Sequence, residues 1–280
     1  MFSLEGKNAV VTGGGSGIGR QMAQAFAARG ATVVIWDIDL EAARAVTKDL
    51  ESSSGGVHHA FRVDVSDRAM VARTAEEVRS SVGDVDVVVN NAGIVAGNRP
   101  LTETSEEEIE RTFAVNTLSL FWVTKAFLGD MVARNSGHVV TIASASGLLG
   151  VSRMVEYASS KHAAVGFDES LRMELAEVAP GVRTTVVNPF FIDTGMFEGV
   201  RSRVPFLLPI LAEAEVAKAV VVAVERNRSV VNLPRLVGLL APMRILPVKA
   251  FDAAIGLLGV NDTMKTFHGR APQPEPVDAD

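Results

Sequence analysis

The chain has 280 residues, 48% apolar and 21% charged, with a formal net charge of −6. That size and composition exclude wholesale disorder and allow roughly three quarters of the unfolded surface to be buried. The absence of cysteine excludes disulfides, thiol nucleophiles and thiolate metal sites; the five histidines lack ligand-like spacing, so no metal is expected; and an acidic chain without a Lys/Arg run has no footprint for nucleic acid.

The period of the apolar residues predicts alternating strands and helices. Asn8–Thr12 reads as a buried strand that stops at three glycines. Ile18, Met22, Ala25 and Phe26 recur at helical spacing up to Gly30. Ala31–Trp36 is a second strand, Leu40–Leu50 a helix and Ser52–Gly56 a loop. Val57–Val63 is a third strand, residues after Asp67 to Val82 form a helix, and Val85–Val89 is a fourth strand. Ser105 and Glu108 have capping-box spacing and open a long helix that ends near Arg134. His138–Ala143, a helix over Tyr157–Val178 and a strand over Val182–Asn188 follow. Beyond Pro189 the pattern loosens: Phe190–Leu211 is apolar but broken by Pro205 and Pro209, Glu213–Arg226 reads as a helix, and Val230–Leu233 as a possible seventh strand. Leu236–Val260 is apolar and interrupted by Pro242 and Pro247, and Ala271–Asp280 reads as disordered tail.

Apolar strands separated by helix-length segments predict an α/β fold: a doubly wound parallel sheet of about seven strands with helices on both faces and a C-terminal apolar helical extension. Residues 1–270 then form a single domain, with a substrate lid near 190–211 and the extension near 235–260. Ligands of such sheets sit at the C-terminal strand ends where strand order reverses. The sequence opens with no signal peptide or membrane anchor, so the expected location is cytoplasmic, with peripheral membrane contact left open.

Thr12-Gly-Gly-Gly-Ser-Gly-Ile-Gly19 lies between the first strand and first helix, where a glycine-rich backbone and a helix N-terminus suit a pyrophosphate; the glycine spacing alone also fits a plain turn. Asp37 ends the second strand, where a carboxylate accepts both ribose hydroxyls and repels a 2'-phosphate, which favours NAD over NADP. Asp64 and Val65 end the third strand beside the expected adenine position, and Asn90-Asn-Ala-Gly93 ends the fourth. Tyr157 is the only tyrosine; Lys161 lies on the same helix face, and Ser144 sits just past the fifth strand. A phenol with a pKa of about 10 is a poor base at neutral pH, and a nearby ammonium would lower it, although a Tyr-x-x-x-Lys pair also fits an ordinary helix surface.

Together the glycine motif, Asn90-Asn-Ala-Gly93, Asn116, Ser144 and Tyr157-x-x-x-Lys161 resemble the short-chain dehydrogenase/reductase family over roughly residues 5 to 195. The resemblance implies Tyr157 as general acid/base, Lys161 on the nicotinamide ribose, Ser144 on the substrate oxygen and Asn116 holding a relay water. It implies a dinucleotide along Gly13, Ser16, Gly17 and Ile18, then Asp37, Asp64 and Val65, then Asn91, Ala92 and Gly93. Pro189, Ile192 and Thr194 would meet the carboxamide, although the family's Pro-Gly is Pro189-Phe190 here.

Pro189-Phe-Phe-Ile-Asp-Thr-Gly-Met-Phe197, with Trp36-Asp37-Ile38, Pro234-Arg235 and Leu257-Leu258-Gly259, is similar to the retinol and 17β-hydroxysteroid dehydrogenase subgroup, which implies a lipophilic alcohol or carbonyl. A greasy pocket is expected from Leu148, Leu149, Val151 and Val155, with Phe190, Met196 and Phe197. The competing readings are an NADPH-dependent 3-oxoacyl-type reductase, a catalytically silent nucleotide-binding protein and, less well fitted, a sugar-nucleotide epimerase. Phe113, Leu120 and Phe127 suit a homodimer or homotetramer interface. The apolar stretch after Leu236, with Arg235, Arg244 and Lys249, fits a layer over the pocket, a subunit interface or a lipid contact.

Overall fold

In the computed structural model, which describes residues 1–195 and 205–259, strands and helices alternate from the start. The strands are β1 (Asn8–Thr12), β2 (Thr32–Asp37), β3 (His59–Arg62), β4 (Val87–Asn90), β5 (Gly137–Ile142), β6 (Val182–Pro189) and β7 (Val230–Leu233). They form one parallel sheet in the order β3-β2-β1-β4-β5-β6-β7. The chain winds outward from β1 to β3 and then restarts at β4 on the other side of β1. The reversal opens a crevice at the C-terminal ends of β1 and β4.

The helices between them are α1 (Gly17–Ala27), α2 (Leu40–Ser54), α3 (Arg68–Val82), α4 (Glu106–Phe113), α5 (Ser119–Ala133), α6 (Val155–Val178) and α7 (Glu213–Glu225). Strand side chains alternate between the two faces. Val11, Ile35, Val89 and Val140 pack under α1, α2 and α7, while Val10, Val34, Trp36 and Val139 pack under α3, α5 and α6. Each fully buried side chain of this kind contributes about 1.5–3 kcal/mol, so a one-residue slip of any central strand is strongly disfavoured.

Several elements depart from expectation. The loop expected at Ser52–Gly56 begins only at Gly55, whose φ of +73° ends the helix, and Ser52, Ser53 and Ser54 stay helical with their hydroxyls folded back on the carbonyls four residues earlier, at 2.9, 2.8 and 2.8 Å. The third strand is shorter than expected and Val57 is exposed before it. The long helix from Ser105 is broken by one π turn, Ala114–Leu118, that joins α4 to α5. Leu120 and Phe127, expected at a subunit interface, are instead buried in the protein's own core, and the outward apolar residues of this segment are Leu118 and Phe121.

The apolar C-terminal stretch folds into a cap: a 3-10 turn Arg235–Leu239, a short helix α8 (Leu240–Met243) and α9 (Val248–Leu257). Val237, Leu240 and Ile255 are buried against Tyr157, Phe190, Phe191 and Leu149. Its outer side leaves Leu239, Ile245, Val248 and Leu257 exposed. No helix among the described residues is long and apolar enough to cross a membrane. Of the expected lid, the part containing Met196 and Phe197 lies outside the described residues, as does the expected tail.

Candidate functional site

A cavity of about 720 Å³ opens at the crevice between β1 and β4. Its first wall is the loop from β1 to α1. Gly13 and Gly17 have φ of +63° and +54°, which side chains resist. At Gly19 a Cβ would lie 2.0 Å from the Gly13 carbonyl oxygen, so only glycine lets the helix start this close to the loop. Asn91 closes the loop from beneath: its Nδ2 donates to the carbonyls of Thr12 and Gly13 at 2.8 and 3.1 Å, and its backbone N–H donates to Thr12 Oγ1. Asp39, Asp67 and Ser105 cap α2, α3 and α4 with their side chains, whereas Ser16 makes no such bond at the start of α1. The first-turn N–H groups there, at the positive end of the helix dipole, are thus available to an anion.

Asp37 lines the cavity at the end of β2. Its Oδ2 accepts from the Gly15 N–H at 2.8 Å and its Oδ1 from the Asp39 N–H at 3.1 Å, which fixes the carboxylate facing the glycine loop. Asp64 is held by the N–H and hydroxyl of Ser66, at 2.9 and 2.6 Å, and Val65 lies beside it. Ser16, Ile18, Ala92, Gly93, Pro189, Ile192 and Thr194 also line the cavity, so the structure brings together every residue the family resemblance places along the dinucleotide.

At the far end stand Ser144, Tyr157 and Lys161, all buried. Ser144 caps the short turn Ala145–Gly147, its hydroxyl accepting from the Ser146 N–H at 3.1 Å. Tyr157 and Lys161 lie one turn apart on α6, with Nζ 5.8 Å from the phenol ring centre. Lys161 Nζ donates to the Ile142 carbonyl at 2.9 Å. Burial pushes the Tyr157 phenol up to about 12, opposed by its hydrogen bond with Ser144. Burial also pulls the Lys161 ammonium down to about 8. The expected lowering of the phenol is therefore reversed in the chain itself: desolvation outweighs the neighbouring groups.

Asn116 sits on the π turn, and its amide clamps the loop after β4. Oδ1 accepts from the Ile94 N–H at 2.8 Å, while Nδ2 donates to the Ile94 carbonyl at 2.9 Å and to Ser160 Oγ at 3.1 Å. Both amide hydrogens are therefore committed to protein, and the side chain's observed part is to hold Gly93 and α6 in register. A Cβ on Gly93 would stand 3.3 Å from Asn116 Oδ1 and 3.6 Å from Lys161 Nζ, so the absent side chain leaves the passage open between them.

The expected apolar wall is only partly in place. Phe190 lines the cavity and stacks edge-on against Phe191 at 4.8 Å, with its N–H bonded to the Leu233 carbonyl where the family has glycine. Leu149 and Val151 are buried beside Tyr157 but stand behind the cavity wall. Val155 is exposed at the first turn of α6 and takes no part, because the helix starts two residues before Tyr157.

Sequence reasoning placed a helix after Ser105 but missed that it faces the site: Glu107, Glu110 and Arg111 of α4, with Ala114 and Val115 of the π turn, line the cavity. Their spacing of three, one, three and one is a single helix face, and the capping box at Ser105 already placed that helix just after β4.

The family described as short chain dehydrogenase matches residues 7–205. Epidermal retinol dehydrogenase 2 of Mus musculus is 39% identical over 271 residues, covering 96% of this chain and 87% of the relative. A short chain dehydrogenase/reductase from Burkholderia phymatum, solved in complex with NAD, superposes with a TM-score of 0.78 at 26% identity, covering 98% of this chain and 99% of that one. A metagenomic short-chain oxidoreductase solved with NADP superposes with a TM-score of 0.69 at 28% identity, over 82% of this chain and 96% of the other.

Proposed function

The chain belongs to the short-chain dehydrogenase family, in its retinol-dehydrogenase-like branch, an oxidoreductase of alcohol and carbonyl groups with NAD or NADP; from this we propose that it interconverts a lipophilic alcohol and its carbonyl with NAD(H). The observation that carries the reading is the meeting of Tyr157, Ser144 and Lys161 in one cavity, with the glycine loop at one end and, at the other, Phe190 packed in an apolar cluster with the cap.

The residues fit a dinucleotide: backbone closes where a Cβ would collide, and an uncapped helix start faces the loop. Gly13, Ser16, Gly17 and Ile18 would hold the pyrophosphate, Asp37 the adenosine ribose, and Asp64 and Val65 the adenine. Asn91, Ala92 and Gly93 would border the path to the nicotinamide, with Pro189, Ile192 and Thr194 at its carboxamide. The nicotinamide supplies the hydride acceptor for oxidation and the hydride donor for reduction. What supports NAD over NADP is the Asp37 carboxylate, held facing the loop by two N–H groups, where a 2'-phosphate would meet like charge.

Ser144 would hydrogen-bond the substrate oxygen and hold it against Tyr157. The phenol oxygen of Tyr157 would take the hydroxyl proton during oxidation and return it during reduction. Its high pKa in the chain alone suits the protonated acid of the reductive direction, and positive charge beside the phenol is required before it works as a base near neutral pH. Lys161, whose ammonium donates to the Ile142 carbonyl beneath the ring, is the protein's source of that charge. Phe190 would form the apolar side of the substrate region, with Leu149 and Val151 supporting Tyr157 from behind; Met196 and Phe197, proposed in the same wall, lie outside the described residues.

The test is cofactor reduction with NAD and, separately, NADP over retinoid, steroid, long-chain and short alcohols. Turnover of a lipophilic alcohol with NAD is expected. Preference for NADPH and a 3-oxoacyl substrate would replace the reading with that of a reductase, and tight NAD binding without turnover of any substrate would favour a nucleotide-binding protein.

Two associations belong to the same proposal. A homodimer or homotetramer would cover exposed Leu118 and Phe121, and a monomer mass by light scattering at micromolar concentration would refute it. Lipid contact through the outer side of the cap would be refuted by failure to float with anionic liposomes.

A further inference from the structure

We propose that Arg244 is a positioning residue, a latch that ties the apolar cap to the serine turn and to the catalytic helix and so steadies the apolar packing behind Phe190, the side chain that would meet the substrate's apolar part. The inference rests on the proposed alcohol dehydrogenase reading for its substrate, and on four contacts for its geometry.

Arg244 follows α8 at the corner of the cap. Its Nε and Nη2 both donate to the Leu148 carbonyl, at 3.1 and 2.8 Å. Leu148 ends the short turn that Ser144 begins, and a carbonyl at such an end has no continuing turn to bond. Nη2 also meets His162 Nε2 at 3.2 Å. His162 Nδ1 lies 2.8 Å from the Ala158 carbonyl, which only accepts, so Nδ1 carries the hydrogen and Nε2 presents a lone pair to the guanidinium. His162 is the residue after Lys161 on α6. The fourth contact is within the cap, where the guanidinium lies 5.8 Å over the Phe251 ring of α9.

One side chain therefore joins α8, α9, the Ser144 turn and α6. The turn has little slack beneath it: a Cβ at Gly147 would lie 2.6 Å from the Lys161 carbonyl oxygen. Among the described residues the cap is otherwise attached to this region by apolar contacts of Val237, Leu240 and Ile255, with Leu236, Phe251 and Leu258 packed around them, and such contacts are non-directional and tolerate sliding. Arginine's planar fork supplies the direction that they lack. Loosening it displaces the cap relative to Tyr157 while leaving the glycine loop, at the other end of the cavity, untouched.

The experiment compares the full-length protein with Arg244→Ala and Arg244→Lys. It measures kcat and KM for one long-chain and one short alcohol, the NAD dissociation constant, and amide exchange over residues 235–258. With Arg244→Ala, KM for the long-chain alcohol should rise about tenfold, while KM for the short alcohol and NAD binding stay within about twofold. Exchange in the cap should quicken. Lysine, with its single ammonium, should recover only part of both effects. Equal KM changes for long and short alcohols, unchanged cap exchange, or loss of NAD binding would overturn the proposal. If the wild-type protein turns over no lipophilic alcohol, the functional reading fails by itself, and cap exchange still decides whether Arg244 is a latch.

Discussion

At the β1 end of the cavity the shape is made by main chain: two glycines at positive φ, a third with no room for a Cβ, and an asparagine bonded to the carbonyls of Thr12 and Gly13. At the capped end Phe190, from the end of β6, faces the cavity and is backed by packed side chains: Phe191 beside it, Leu149 from the serine turn, and Val237, Leu240 and Ile255 from the cap. Main-chain geometry offers the same groups to any dinucleotide and permits almost no substitution. Side-chain packing accepts exchanges of similar volume, so the second end is where a family can change substrates while it retains its cofactor site.

The largest expected effect tests the rigid end. Gly19→Ala places a methyl 2.0 Å from the Gly13 oxygen and 2.6 Å from Asn91 Nδ2, and calorimetric titration should find NAD binding abolished. Retained binding would show that the loop yields and that the comparison is drawn too sharply. At the same end, Asp37→Asn should weaken NAD by roughly 10- to 100-fold, as for loss of a charged hydrogen-bond acceptor, and narrow the preference over NADP. Unchanged discrimination would remove Asp37 from cofactor choice.

In the cap, Leu240→Ala should cost about 2–4 kcal/mol of cap stability, seen as faster amide exchange over α8 and α9, while NAD affinity holds. A matching loss of NAD affinity would mean the two ends are coupled. The smallest effect lies outside both ends. Asp168 on α6 is buried, and burial pushes its carboxyl up to about 7 against the hydrogen bond that Thr184 donates to it at 3.0 Å. Its raised pKa favours the folded state at low pH, and that contribution falls away between the unfolded value near 4 and the folded value near 7. Asp168→Asn should accordingly be near neutral at pH 4 and raise Tm at pH 8, by on the order of 4 kcal/mol of stability at most. An equal change at both pH values would show that the carboxyl is not titrating over that range.

Legibility in the sequence divides along the same line. The strand pattern and the glycine loop could be read because each demand is local: a Val-rich run needs two covered faces, and a glycine at Gly13 or Gly17 needs only its own φ. Tyr157 and Lys161 could be paired because helix spacing alone puts them on one face. The π turn at Asn116 could not, since the register it adjusts involves Ile94 and Ser160, both remote in sequence. The positions of Val155, exposed where α6 begins, and of Leu149 and Val151, buried beside Tyr157 without lining the cavity, could not be read either, because they depend on where α6 starts and how the cap packs. Arg244 carried no motif: its partners lie 96 and 82 residues away, and only the folded cap brings them within reach.

The most direct test of the central claim is deuterium transfer to NAD from a lipophilic alcohol labelled at its carbinol carbon, followed by mass spectrometry with wild-type protein and Tyr157→Phe side by side. The account predicts labelled reduced cofactor with the wild type and transfer slowed by roughly 10²- to 10⁴-fold in the variant, with NAD binding retained. Equal transfer by the two proteins would contradict the role given to Tyr157, and no transfer by a wild-type protein that binds NAD and alcohol would contradict the reaction itself.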